Sequence, residues 1–269
     1  MLRKLMKYEF KSTGRLLLPL YIVLIAFAFI NKIFMGDLFV VTADSVSFLG
    51  TLPKVLSMFV YVGTMVAIFV VTFFITVQRF YKNLLGDEGY LMNTLPVKPW
   101  QNIFAKLLVA LIWSVASMFV AFISILIMCY EKGLLTEIFT GIPQILSELL
   151  NEGGFLGILL LIQIIIAMIL SGASAILMLY ASISLGHLFD KRKILCSFGA
   201  YIVLNMATQT IIATLIAILG NVFFDFFQSI EMFPGGNLLL LIINIGSLIL
   251  SIAYFFICNY ITTTRLNLE

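Results

Sequence analysis

From its N-terminus the chain alternates long apolar stretches with short polar connections. Six stretches are long enough to cross a bilayer as helices: approximately 16–35, 55–77, 103–128, 155–185, 194–220 and 238–260. A helix needs about 20 mostly apolar residues to cover roughly 30 Å of hydrocarbon. The fourth and fifth exceed that need and are expected to tilt or to run past the bilayer. Lys32 lies near the outer end of the first stretch, where its long side chain can snorkel to the headgroups. The pattern predicts an all-α, polytopic membrane protein with six transmembrane helices in a single transmembrane domain.

The segments outside these stretches are patterned too. In residues 1–15, Leu2, Leu5, Met6 and Phe10 fall on one helical face, while Lys4, Lys7, Lys11 and Arg15 form a basic stripe on another. This predicts an N-terminal interfacial amphipathic helix on the inner leaflet, attracted to anionic membrane lipids. Topology alone would not require its apolar face. Residues 78–102, between the second and third spans, contain Gly86 and Gly89 flanking Asp87 and Glu88. The carboxylates favour the start of a short helix. Tyr90, Leu91, Met92 and Leu95 then give an apolar patch, Pro96 ends the piece, and Pro99 suits the first turn of the third span. The segment reads either as a cytoplasmic docking element or as an interfacial turn with solvated acids.

Two outer connections carry short amphipathic pieces. One has Ile142, Ile145, Leu146, Leu149 and Leu150 on a face; the other has Phe223, Phe226, Phe227 and Ile230. Both are expected at the outer interface or as caps over a cavity. Pro234-Gly235-Gly236 is expected to break the chain before the last span.

Composition strengthens the membrane assignment. The 269 residues are 62% hydrophobic and 11% charged, with mean hydropathy +1.14. Soluble domains run near ~45–50% apolar and ~25% charged. A soluble enzyme, a nucleic-acid-binding protein and a disordered scaffold are thereby excluded. Thirteen of the sixteen Lys and Arg residues, all but Lys32, Lys54 and Lys132, fall on the side that holds both termini, whereas eight of thirteen acids fall on the other. The positive-inside rule then puts both termini in the cytoplasm. Ala26-Phe27-Ala28 has the small-x-small form of a signal-peptide cleavage site. The fifteen residues before the apolar run are too many for a signal n-region, and the run continues past the site. Cys129, Cys196 and Cys258 make no CxxC pair and read as small apolar residues.

Catalytic and energy-coupling chemistry is sparse. The chain has no GxxxxGK[ST] phosphate loop, no HExxH and only one histidine, His187, beside Asp190-Lys191-Arg192-Lys193. No catalytic, cofactor or metal residue is expected. The span cores carry no ionisable side chain of the kind that marks the ion path in coupled carriers. Their polar groups are Gln163, Ser171, Ser174, Asn205, Thr208, Gln209 and Asn244. These serve helix-to-helix hydrogen bonding or, for Gln163, Asn205, Gln209 and Asn244, a substrate pathway.

Two stretches, MLRKLMKYEFKSTGR and GDEGYLMNTLPVKPWQNIFAKLL, resemble permease subunits of bacterial ABC-2-type exporters, most of all the short permeases of Firmicutes. The resemblance implies a bacterial plasma-membrane subunit that pairs with a second permease, as homo- or heterodimer, and with two cytoplasmic ATPases that use ATP and magnesium. It implies an inner-leaflet helix at Leu2 to Arg15. It also places a coupling helix at approximately Gly86 to Leu95 and, by position alone, an exit cap at Asn221 to Gly236. The cargo implied is a peptide, an antimicrobial compound or a lipid-like amphipath. The alternatives are an ATP-independent small-solute carrier and a non-transporting immunity or assembly factor.

Overall fold

The computed structural model describes residues 2–36, 48–85, 98–128, 134–189, 192–228 and 232–264. Among them are six long helices: α1 (Leu2–Gly36), α2 (Phe48–Phe80), α3 (Pro99–Met128), α4 (Leu134–Gly186), α5 (Lys193–Gln228) and α6 (Met232–Thr264). A π-helical turn, Tyr81–Leu85, follows α2. Each long helix contains a stretch long and apolar enough to cross a membrane. The six predicted spans all fall inside them, so the fold is all-α as expected.

Two boundaries differ from the sequence reading, and a third agrees with it. First, residues 2–15 are not a separate piece but the opening turns of one uninterrupted α1. At 1.5 Å per residue that helix is about 52 Å long, well beyond the hydrocarbon thickness. Its apolar face has a protein partner: Phe10 stacks on the Trp113 indole with ring centroids 4.7 Å apart, and Met6 packs on the same core. Gly14 makes the approach possible, since a Cβ there would lie 3.0 Å from that indole.

Second, α6 starts before Pro234, which occupies its first turn. Proline is tolerated there because the missing N–H would have no intrahelical acceptor. Gly235 is buried, and a Cβ on Gly236 would lie 3.3 Å from Leu160. The glycines therefore permit close packing rather than a break.

Third, α4 is two helices joined at Gly154, whose φ of 51° and ψ of −127° suit glycine alone. A Cβ on Gly157 would overlap the Leu149 carbonyl oxygen, so the piece before Gly154 folds back sharply on the span. Ile142, Leu146 and Leu150 of that piece remain exposed, as an interfacial helix requires.

The helices form two compact units, Met1–Thr76 with Leu108–Thr140, and Val77–Leu107 with Gly141–Glu269. In the first, α1 buries Leu17, Tyr21, Leu24, Ala28 and Asn31. The steps of four and three residues make the narrow seam of a coiled coil. Three polar ties cross this unit. Ser117 Oγ on α3 meets Tyr21 Oη of α1 at 2.7 Å and Thr72 Oγ1 of α2 at 3.0 Å. Tyr61 Oη meets Ser124 Oγ at 3.0 Å. Asn31 Nδ2 donates to the Ser57 carbonyl at 3.0 Å, and Ser57 Oγ returns a bond to Asn31 Oδ1 at 3.1 Å. The pairs Tyr61–Ser124 and Thr72–Ser117 run in opposite chain order, so α2 and α3 are antiparallel, as consecutive spans must be.

In the second unit Phe80 lies flat on Tyr180, with centroids 4.1 Å apart and planes 9° apart. Around them Leu84, Leu85, Ile103, Ile176, Leu177 and Ile183 are buried. Asn237 Nδ2 donates to the Leu156 carbonyl at 2.9 Å, and Asn244 Nδ2 to that of Gln163 at 3.2 Å. The contacts step by seven residues along both α4 and α6, which makes the two parallel. Thr208 bonds Tyr254 between α5 and α6, and Ser184 Oγ meets Cys258 Sγ at 3.6 Å between α4 and α6.

Ser117 is the most connected of these ties. Ser117→Ala removes bonds to two helices and should lower stability by about 1 kcal/mol, in the range of interhelical hydrogen bonds in membranes. Thermal unfolding in a fixed detergent measures it; an unchanged midpoint would show that the ties add nothing to packing.

Candidate functional site

The expected docking segment, with Asp87, Glu88, Tyr90, Leu91, Met92 and Leu95, lies outside the described residues, which stop at Leu85 and resume at Lys98. Both flanks are anchored in the second unit. Before it, Phe80 stacks on Tyr180 and Leu84 and Leu85 are buried; after it, Asn102 and Ile103 are buried.

At the N-terminus, Lys4, Lys7, Lys11 and Arg15 remain exposed along α1. Glu9 is 7% exposed and Lys106, in the opening turns of α3, is 4% exposed; neither is without a partner. A buried charge left unpaired would be strongly destabilising.

The four amide residues proposed for a pathway fall in two separate places. Gln163 and Asn244 meet on the α4–α6 seam, where the side-chain oxygens of both are buried without a partner among the described residues. Asn237 Oδ1, two helical turns from Asn244, is in the same condition. Asn205 and Gln209 instead pair with each other along α5, Gln209 Nε2 donating to Asn205 Oδ1 at 2.8 Å. Gln209 is exposed, and no described side chain of α5 is buried. Ser171 and Ser174 bond carbonyls of their own helix, as Thr208 also does besides reaching Tyr254.

Sequence reasoning missed the best-connected polar groups: Tyr21, Asn31, Tyr61, Thr72, Ser117, Ser124 and Asn237. The signal was available in α1, where Tyr21 and Asn31 share the heptad seam with Leu17, Leu24 and Ala28. Asn237 was hidden beside the supposed break at Pro234.

At the junction of α4 and α5 an open groove of about 710 Å³ is lined by Tyr81, Arg192, Lys193, Ile194, Leu195 and Phe198. Arg192 has a left-handed backbone, φ 61°, and its carbonyl accepts from Cys196 N at 3.1 Å to start α5. His187 packs beside Tyr81 with ring centroids 5.0 Å apart. Burial, and then the positive charge of Lys193, hold the His187 imidazole below the usual histidine range.

Among the described residues no three His, Cys, Asp or Glu side chains gather to hold a metal. Six long apolar helices make the chain a multi-pass membrane protein. No protein-family model, curated protein or solved structure matches it.

The His187 environment predicts a pH dependence. Its proton affinity is lower folded than unfolded, so the unfolded chain binds more protons as pH falls below about 6.5, the ordinary histidine value. The stability present above that pH is lost on acidification towards the lower folded value. Thermal midpoints at pH 7.5 and 5.5 should therefore diverge less for His187→Gln than for the wild type. An equal acid loss in both would place the titrating group elsewhere.

Proposed function

We propose that the chain is the transmembrane permease subunit of an ATP-binding-cassette exporter of the bacterial plasma membrane. Separate cytoplasmic ATPase subunits, two per transporter, supply the energy from ATP and magnesium, and a second permease subunit completes the channel. The carrying observation is the apolar-acidic segment GDEGYLMNTL, which joins two spanning helices in a chain without a nucleotide-binding loop. In this reading Tyr90, Leu91, Met92 and Leu95 fill a groove on the ATPase, while Asp87 and Glu88 make charge-assisted contacts at its rim. Both termini are cytoplasmic, on the same side as this segment.

Two physical features support the reading. A push on residues 86–95 has a short route into the membrane body, because Phe80 just before them lies flat on Tyr180 of α4. The amide of Gln209 is exposed on α5, a helix without a buried side chain among those described. An amide facing hydrocarbon is costly, and a partner permease or a hydrated pathway would relieve that cost. The span interiors favour an amphipathic or apolar cargo, such as a peptide, an antimicrobial compound or a lipid.

The test is charge reversal. Asp87→Lys with Glu88→Lys should leave membrane insertion intact and reduce transport-coupled ATPase activity roughly tenfold or more, the scale of losing a charge-assisted contact. Coupling equal to wild type in vesicles carrying the full complex would reject the docking assignment.

A further inference from the structure

We propose that the groove at the start of α5 is a binding site for one anionic phospholipid. The wall formed by Arg192 and Lys193 is cationic, and the floor is apolar. Ile194, Leu195 and Phe198 are 75%, 66% and 66% exposed, so their side chains are uncovered within the chain. Arg192 closes the polar connection just ahead of α5, Lys193 opens the helix, and the apolar residues follow directly in the spanning stretch Lys193–Ala217. Charge and oil are therefore stacked in the order of a phospholipid: headgroup beside the cations, acyl chains along Leu195 and Phe198, one turn apart. Tyr81, on the π-helical turn, brings an amphipathic ring of the kind enriched at the membrane boundary.

The electrostatics select an anion. Among the described residues the lining holds two bases and no acid, and the local sequence Asp190-Lys191-Arg192-Lys193 has three bases to one acid. The first-turn N–H groups of Lys193, Ile194 and Leu195 have no acceptor within the helix and add partial positive charge at the same place. A zwitterionic headgroup would bring its own cation against Arg192 and Lys193. A soluble anion would leave Ile194, Leu195 and Phe198 bare. A phosphatidylglycerol-type lipid satisfies both halves, as basic pockets at the membrane boundary do for anionic headgroups.

Native mass spectrometry of the full chain, released from nanodiscs of equal phosphatidylglycerol and phosphatidylcholine, tests this. The wild type should retain one phosphatidylglycerol with about a 25-fold preference, at roughly fivefold for each basic side chain. Arg192→Gln with Lys193→Gln should bring that preference near unity, and Phe198→Ala should lower retention of both lipids. Arg192→Lys should keep most of the preference, which separates a charge effect from misfolding. Wild-type protein without preference overturns the proposal whatever the variants do. Displacement of the lipid by millimolar inorganic phosphate also overturns it, because the site would then be for an anion alone.

Discussion

Within hydrocarbon a polar group left without a partner is costly, and the polar ties that meet this cost organise the structure, even where the oxygens of Gln163, Asn237 and Asn244 stay unpaired among the described residues. Water is absent there, so an unmatched hydroxyl or amide carries its full desolvation cost. Lipid tails are as apolar as leucine, which removes the hydrophobic preference for one helix neighbour over another. Specific polar ties then set which helices meet and in what register. Ser117, shared by Tyr21 and Thr72, joins three helices at one level. Tyr61 with Ser124 and Asn31 with Ser57 add further levels, and Asn237 and Asn244 hold α4 beside α6 one heptad apart. Apolar residues between the ties fill space, and most of the apolar surface is left to the lipid.

The spans were legible because composition alone separates lipid-facing helices from connections. The ties were less so, since Ser, Thr and Tyr are common and only their three-dimensional register pairs them. The N-terminal pattern was read correctly as amphipathic, but periodicity does not say whether an apolar face meets lipid or another helix. Trp113 decides that, and its approach needs the absent side chain of Gly14. Gly154 illustrates the opposite case. The sequence start of the fourth span at residue 155 agrees with the fold-back, because a glycine pair precedes it and the residues beyond are predominantly apolar. At Pro234-Gly235-Gly236 the same punctuation misled: proline occupies a tolerated first turn, and Gly236 serves contact with α4.

Coupling between an external engine and the membrane body needs a rigid connection at the point where force enters. In the proposed function such a connection would run through the buried Phe80, Leu84 and Leu85 before the docking segment and Asn102 and Ile103 after it. Phe80 lies face to face on Tyr180, and Leu84 and Leu85 on the short π-helical turn are buried. The scarcity of charge that marks the chain as membranous also leaves it without an evident engine, which is why the acidic Asp87 and Glu88 carry weight in the functional reading.

Photo-crosslinking from residue 91 tests that central claim most directly. A photoreactive amino acid replacing Leu91, in cells that express the chain at its native level, should capture a protein with a nucleotide-binding phosphate loop, identified by mass spectrometry of the adduct. Adducts confined to lipid, or to proteins without such a loop, would contradict the account.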